Sequence, residues 1–149
     1  MTTRVTSARD HWHLTSWKPL ALAGLIGAVM AVVEVVVLRH LFQVPHPTDA
    51  TASAAFFALA SVFLVPFEEW LFRGVILSKL VRSAGVVIAL ILSSALFALA
   101  HGWAPIGCVT RFLAGLALGV FYLRTKSLWP PIVMHFVHNV MVGVVFIVL

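Results

Sequence analysis

The feature that most constrains this chain is a series of long apolar runs. Residues 19–38, 51–77, 86–103, 107–123 and 128–149 are apolar almost throughout, and a helix needs about 20 such residues to cross a bilayer. Hydrophobic residues make up 62% of the sequence and charged residues 10%, whereas soluble domains are roughly 45–50% apolar and about 25% charged. A soluble core of 149 residues cannot hide that much apolar side chain. The solvent must be lipid. The expected fold class is all-α: a polytopic transmembrane helix bundle of about five spans, with a polar tail at 1–18 and the transmembrane domain at 19–149.

Charge placement supports this parse. The formal net charge is +5, from ten Lys and Arg against five Asp and Glu. Most of the basic residues fall between apolar runs, where topology signals belong, so no nucleic-acid partner is expected. Arg4, Arg9 and Lys18 precede the first run, Lys79 and Arg82 follow the second, and Arg124 and Lys126 follow the fourth. The opposite side offers Arg39 offset by Asp49, and an uncharged turn at 103–106. Positive-inside logic places the N-terminus in the cytoplasm and the C-terminus outside. No signal peptide is evident, because the first 18 residues are polar and lack a clear cleavage site. Cys108, the one cysteine, reads as packing and excludes an intrachain disulfide or a cysteine-based metal cluster.

Against this background the stretch PFEEWLFRG, 66–74, stands out. A charge near a bilayer centre is costly, so an ionisable cluster there is a functional-site hypothesis. Glu69 and Arg73 are four apart with the acid first, the favourable order for an ion pair on a helix. Glu68 points about 100° away from Glu69 and is left free. Phe97 and His101 share a face near the end of the third run, and His135 and Asn139 share one in the fifth. His138, three residues after His135, is a possible substitute for it. Helical rise places Glu68, His135 and Asn139 at ~13, ~10 and ~16 Å from the cytoplasmic edge, with His101 deeper at ~22 Å. A desolvated carboxylate can act as general base on water, and neutral histidines with an amide can serve a leaving amine and a developing oxyanion. Such a set suits amide hydrolysis without a covalent intermediate. Each group alone is more often a packing or interface residue; four in three spans is a pattern.

The series Glu68-Glu69-x-x-x-Arg73, Phe97-x-x-x-His101 and His135-x-x-x-Asn139 resembles the three motifs of the CPBP intramembrane endopeptidases. That family includes the CAAX prenyl proteases of the Rce1 type and the bacteriocin-processing or immunity (Abi) proteins. The resemblance implies a glutamate-dependent intramembrane protease in which Glu68 is the general base and His101 helps it activate water. His135 and Asn139 would form the oxyanion site, and Glu69 and Arg73 would support the first motif. Glu68, His101 and His135 could make a zinc site, but a carboxylate–histidine water site needs no metal, and none is expected. The substrate would be a membrane-anchored protein or peptide: a prenylated tail, a leader peptide or a C-terminal sorting tail. The chain is shorter than common members, which fits a bacterial inner-membrane protein and allows self-association in place of a peripheral helix. The rival class is a non-enzymatic immunity or scaffold protein, or a small proton or ion carrier; a carrier would be expected to show internal repeats, and none is seen.

One expectation stands outside the motifs. Glu34 and Arg111 each lie about four residues inside the outer end of their spans, at one depth of roughly 6 Å. An interhelical Glu34–Arg111 ion pair, away from the catalytic face, is expected to pin span one to span four. Arg39, five residues after Glu34, is the local rival.

Overall fold

The computed structural model describes residues 11–40, 50–102 and 105–148. They form helices α1 (Trp17–His40), α2 (Ala50–Glu69), a π-helical stretch (Trp70–Leu77), α3 (Ser78–Ala84), α4 (Val86–Ala100), α5 (Pro105–Thr125) and α6 (Trp129–Val148), and no strand among the described residues. Trp17–Leu38 and Pro105–Thr125 are long and apolar enough to cross a membrane, and Val86–Ala100 and Trp129–Val145 are shorter apolar helices. The molecule is an all-α bundle.

Boundaries differ from the sequence expectation in one informative place. Residues 78–85 read as a short basic turn, yet α2, the π stretch and α3 run on as one helical rod to Ala84. The chain turns only at Gly85, with φ +80°, a conformation that costs a residue without Cβ little. Measured from this elbow, Glu68 lies seventeen positions before (85 less 68) and His101 sixteen after (101 less 85). Their depths therefore match. The apparent excess depth of His101 came from starting the count at Leu77 instead of Ala84. The predicted loop at 39–50 falls largely on 41–49, and the predicted uncharged turn partly on 103–104, both outside the described residues.

The rod is locally wide because of its sequence. Pro66 sits inside α2, where it has no N–H for the preceding turn. The π-helical turns that follow leave the usual i to i−4 register. Two carbonyls there accept from hydroxyls: Ser93 Oγ on α4 donates to the Phe72 carbonyl at 3.2 Å, and Ser78 Oγ donates to that of Arg73 at 3.0 Å. Each hydroxyl gives a carbonyl of the widened stretch a side-chain donor.

Helix α6 packs on α1, α2 and α5, while α4 packs on α5 and α3. The α1–α6 seam is made by small residues. Ala23 and Ala31 are fully buried, and between them Gly27 lies so close to Met134 that a Cβ would overlap its carbonyl. In lipid, where apolar association gains little from leaving the solvent, close backbone contact of this type drives helix pairing. The α4–α5 seam repeats it: a Cβ on Gly115 would stand 3.0 Å from Ser94 Cα and Cβ. The outward face of α2 is lipid-like, with Phe56, Leu59 and Phe63 exposed.

One end of the bundle is capped by residues 11–13. The Leu128 N–H donates to the His11 carbonyl at 2.8 Å, Ser127 Oγ to that of His13 at 2.7 Å, and Trp129 Nε1 to that of Trp12 at 3.2 Å. This is the end from which α1 and α6 start and at which α3 and α5 finish, so Lys18, Arg82, Arg124 and Lys126 lie near it.

Candidate active site

Glu69 is fully buried, and its Oε1 accepts from Arg73 Nη1 at 2.9 Å. The same oxygen lies 2.8 Å from His135 Nδ1, across to α6. Arg73 is itself buried; its second nitrogen reaches the Gly115 carbonyl at 3.4 Å and its guanidinium carbon lies 4.4 Å from the centroid of Phe97. Phe97 is the aromatic centre of the site. Its ring lies 4.4 Å from that of His101 and 5.6 Å from that of His135. The spacing of Glu69 and Arg73 foretold their pair, but not that it extends to His135.

Glu68, one residue earlier, faces a cavity. His101 Nε2 stands 3.5 Å from its Oε1, and His135 Nε2 stands 3.7 Å from its Oε2. His101 is the residue just past α4, with φ −96° and ψ 6°. Gly102 follows at φ +118°, the left-handed region that lets the chain leave the helix at once. His101 Nδ1 contacts the Phe97 carbonyl at 2.8 Å.

Partner chemistry fixes the ring protons. A carbonyl only accepts, so His101 Nδ1 carries its hydrogen and Nε2 of the neutral ring is bare. Glu69 Oε1, already bound by Arg73, likewise accepts from His135 Nδ1, leaving that Nε2 bare. Glu68 therefore meets two imidazole lone pairs. Three acceptors converge with no donor of their own, an arrangement completed by the hydrogens of a water molecule or by one shared proton. Among the described residues, no group of three or more His, Cys, Asp and Glu side chains is arranged to hold a metal ion.

Asn139 lies one turn beyond His135 and donates from Nδ2 to Ser61 Oγ at 3.1 Å. Ser61 was not anticipated; it lies seven residues before Glu68, two helical turns along the same rod. His138 does not stand in for His135. Its Nε2 lies 2.9 Å from Glu34 Oε2, and its Nδ1 lies 3.5 Å from Asn139 Oδ1.

The expected Glu34–Arg111 ion pair is therefore corrected. Glu34 takes His138 and, at 3.2 Å, the hydroxyl of Thr110, the residue before Arg111. Depth placed α1 beside α5 correctly in height but could not give the azimuth, and α1 packs chiefly on α6. The group is not remote from the site either. Glu34, Arg111, His138, Glu68, His101 and His135 all line one cavity of about 290 Å³. The side chain of Arg39 lies outside the described residues.

An apolar bundle holding a carboxylate, two imidazoles and a buried ion pair beside a partly open cavity defines a polytopic membrane protein with an intramembrane polar site. The family model described as type II CAAX prenyl endopeptidase Rce1-like matches residues 50–141, and the chain belongs to that protease family. The match takes in Glu68, Glu69, Arg73, His101, His135 and Asn139, and leaves α1 with Glu34 outside it. Searches of the curated proteins and of the solved structures each returned no match.

Proposed function

We propose that the protein hydrolyses a peptide bond of a membrane-associated protein or peptide by a glutamate-dependent route, with no metal. The observation that carries this reading is the convergence of His101 Nε2 and His135 Nε2 on the two oxygens of Glu68, at 3.5 and 3.7 Å. Glu68 takes a proton from a water molecule admitted to the cavity, and the water oxygen attacks the substrate carbonyl carbon. The carbonyl electron pair moves to its oxygen, which receives hydrogen bonds from the second N–H of Asn139 and from His135. His135 donates from Nε2 when it holds the proton shared by the cluster, and Glu69 at 2.8 Å compensates that imidazolium. Collapse breaks the C–N bond, and the proton taken from water passes through His101 to the leaving amine.

Candidate substrates are a C-terminal sorting tail, a leader peptide or a prenylated tail. The proposed setting is a bacterial inner membrane with the basic end of the bundle in the cytoplasm. In the test, purified Glu68→Gln protein should remain folded in detergent and lose at least about a hundredfold of wild-type cleavage of a co-expressed membrane substrate, the scale on which a positioned general base acts. Cleavage at the wild-type rate would remove Glu68 from the mechanism.

A further inference from the structure

We propose that Arg111 binds a carboxylate of the substrate and thereby selects which peptide bond reaches Glu68. The inference rests on the hydrolytic reading above and adds a specificity-determining residue to it. Arg111 lines the same cavity as Glu68, His101 and His135. The nearby carboxylate attracts Arg111 through space but makes its direct contacts elsewhere: Glu34 is held by His138 at 2.9 Å and by Thr110 at 3.2 Å. Among the described residues, Arg111 makes no hydrogen bond and no ion pair. Its guanidinium folds back over Gly107, where a Cβ would run into Nη1; any other residue at 107 would displace the head group.

The surrounding wall is mostly apolar, with Met30, Leu64 and Leu118 among its residues. A cation beside such a wall, inside a membrane, is costly unless an anion contacts it, and Glu34, on the same cavity, offsets Arg111 only through space. The guanidinium presents a planar fork of donors that fits a carboxylate two bonds at a time. The ligand with an apolar body and a carboxylate that this site would meet is its own substrate peptide. An extended peptide advances about 3.3–3.6 Å per residue, so a carboxylate on Arg111 stands within a few residues of the bond at Glu68 in a cavity of about 290 Å³. The carboxylate could belong to the free C-terminus or to an acidic side chain; the chemistry is shared and the experiment separates the two.

One apolar fluorescent peptide is made in three forms: with a free C-terminal carboxylate, with a C-terminal amide, and amidated with an added glutamate. Binding is measured to full-length Glu68→Gln protein in zwitterionic nanodiscs, and cleavage is measured with the wild type. The expected result is that one carboxylate form binds about ten- to a hundredfold more tightly than the plain amide, the range of a charged hydrogen-bonded contact. Adding Arg111→Gln should erase that advantage without weakening the amide form, and Arg111→Lys should keep only part of it, because an ammonium lacks the fork. In cleavage, Arg111→Gln should raise KM for the carboxylate peptide with little change in kcat. Equal binding of all three forms overturns the proposal, and that comparison needs no Arg111 variant to fold. An advantage that follows the anionic lipid content of the nanodisc rather than the peptide overturns it as well. Absence of cleavage with Arg111-dependent binding intact sinks the peptidase reading alone; cleavage indifferent to the carboxylate sinks this one alone.

Discussion

Glu68 and Glu69 are neighbours in the chain and opposites in environment, because one helical step turns them about 100° apart. Glu69 is locked between Arg73 and His135 in the packed interior, where removing one partner of a buried pair costs about 3–5 kcal/mol. Glu68 keeps a quarter of its side-chain surface accessible in the cavity, as the proposed reaction with water requires. Sequence spacing anticipated the Glu69–Arg73 pair, since i to i+4 pairing is a local property of the helix. Partners on other helices were less legible. Glu34 found Thr110 where Arg111 was expected, one residue and about 100° away, a difference no depth estimate resolves. A double-mutant cycle at this scale checks the correction. Glu34→Gln and His138→Gln, read by melting in detergent, should couple by about 0.6 kcal/mol and at most ~1.7, the span measured for polar pairs between membrane helices. Glu34→Gln with Arg111→Gln should couple more weakly than that, because their attraction carries no direct contact. The opposite pattern would restore the Glu34–Arg111 pair.

At the scale of the elements, the apolar runs gave the spans because hydrocarbon thickness sets their length, but the rod from Ala50 to Ala84 outlasts its apolar part. Lys79 and Arg82 were read as a turn on account of their charge, yet both are sound helix formers, and only Gly85 with φ +80° stops the rod. The π-helical stretch had no readable signal beyond Pro66; the hydroxyls that contact its carbonyls come from Ser93 on another helix and from Ser78 beyond its end. Packing between elements makes its own prediction. Gly27→Val should destabilise the protein by about 1–3 kcal/mol or more, the cost of overpacking, because Met134 leaves no room for a Cβ. Gly24→Ala, whose Cβ would meet Val133 at an ordinary 3.7 Å, should melt close to the wild type. Equal losses for the two variants would show that the α1–α6 seam is looser than described.

For the molecule as a whole, a single cavity joins the family motifs to Glu34, Arg111 and His138, and that union was not legible from the order of the motifs along the chain. It arises because α6 carries His135, His138 and Asn139 between α1 and α2. The proposed metal-free chemistry is tested on the intact protein. Dialysis against a strong chelator should leave peptide cleavage unchanged, and the purified protein should carry no stoichiometric zinc. Inactivation that zinc reverses would instead make Glu68, His101 and His135 ligands.

The central position of α6 also has a consequence in time. A chain is synthesised from its N-terminus, and earlier segments fold first. The hairpin that brings Glu68 to His101 can assemble while later helices are still on the ribosome. His135 and Asn139 arrive with α6, after every other described helix, and α1, the earliest of them, waits throughout for the surface it packs on. A nascent chain halted before α6 therefore holds half of the proposed site and a first helix without its main packing surface. Until α6 is in place, the proposed hydrolytic chemistry lacks two of its groups.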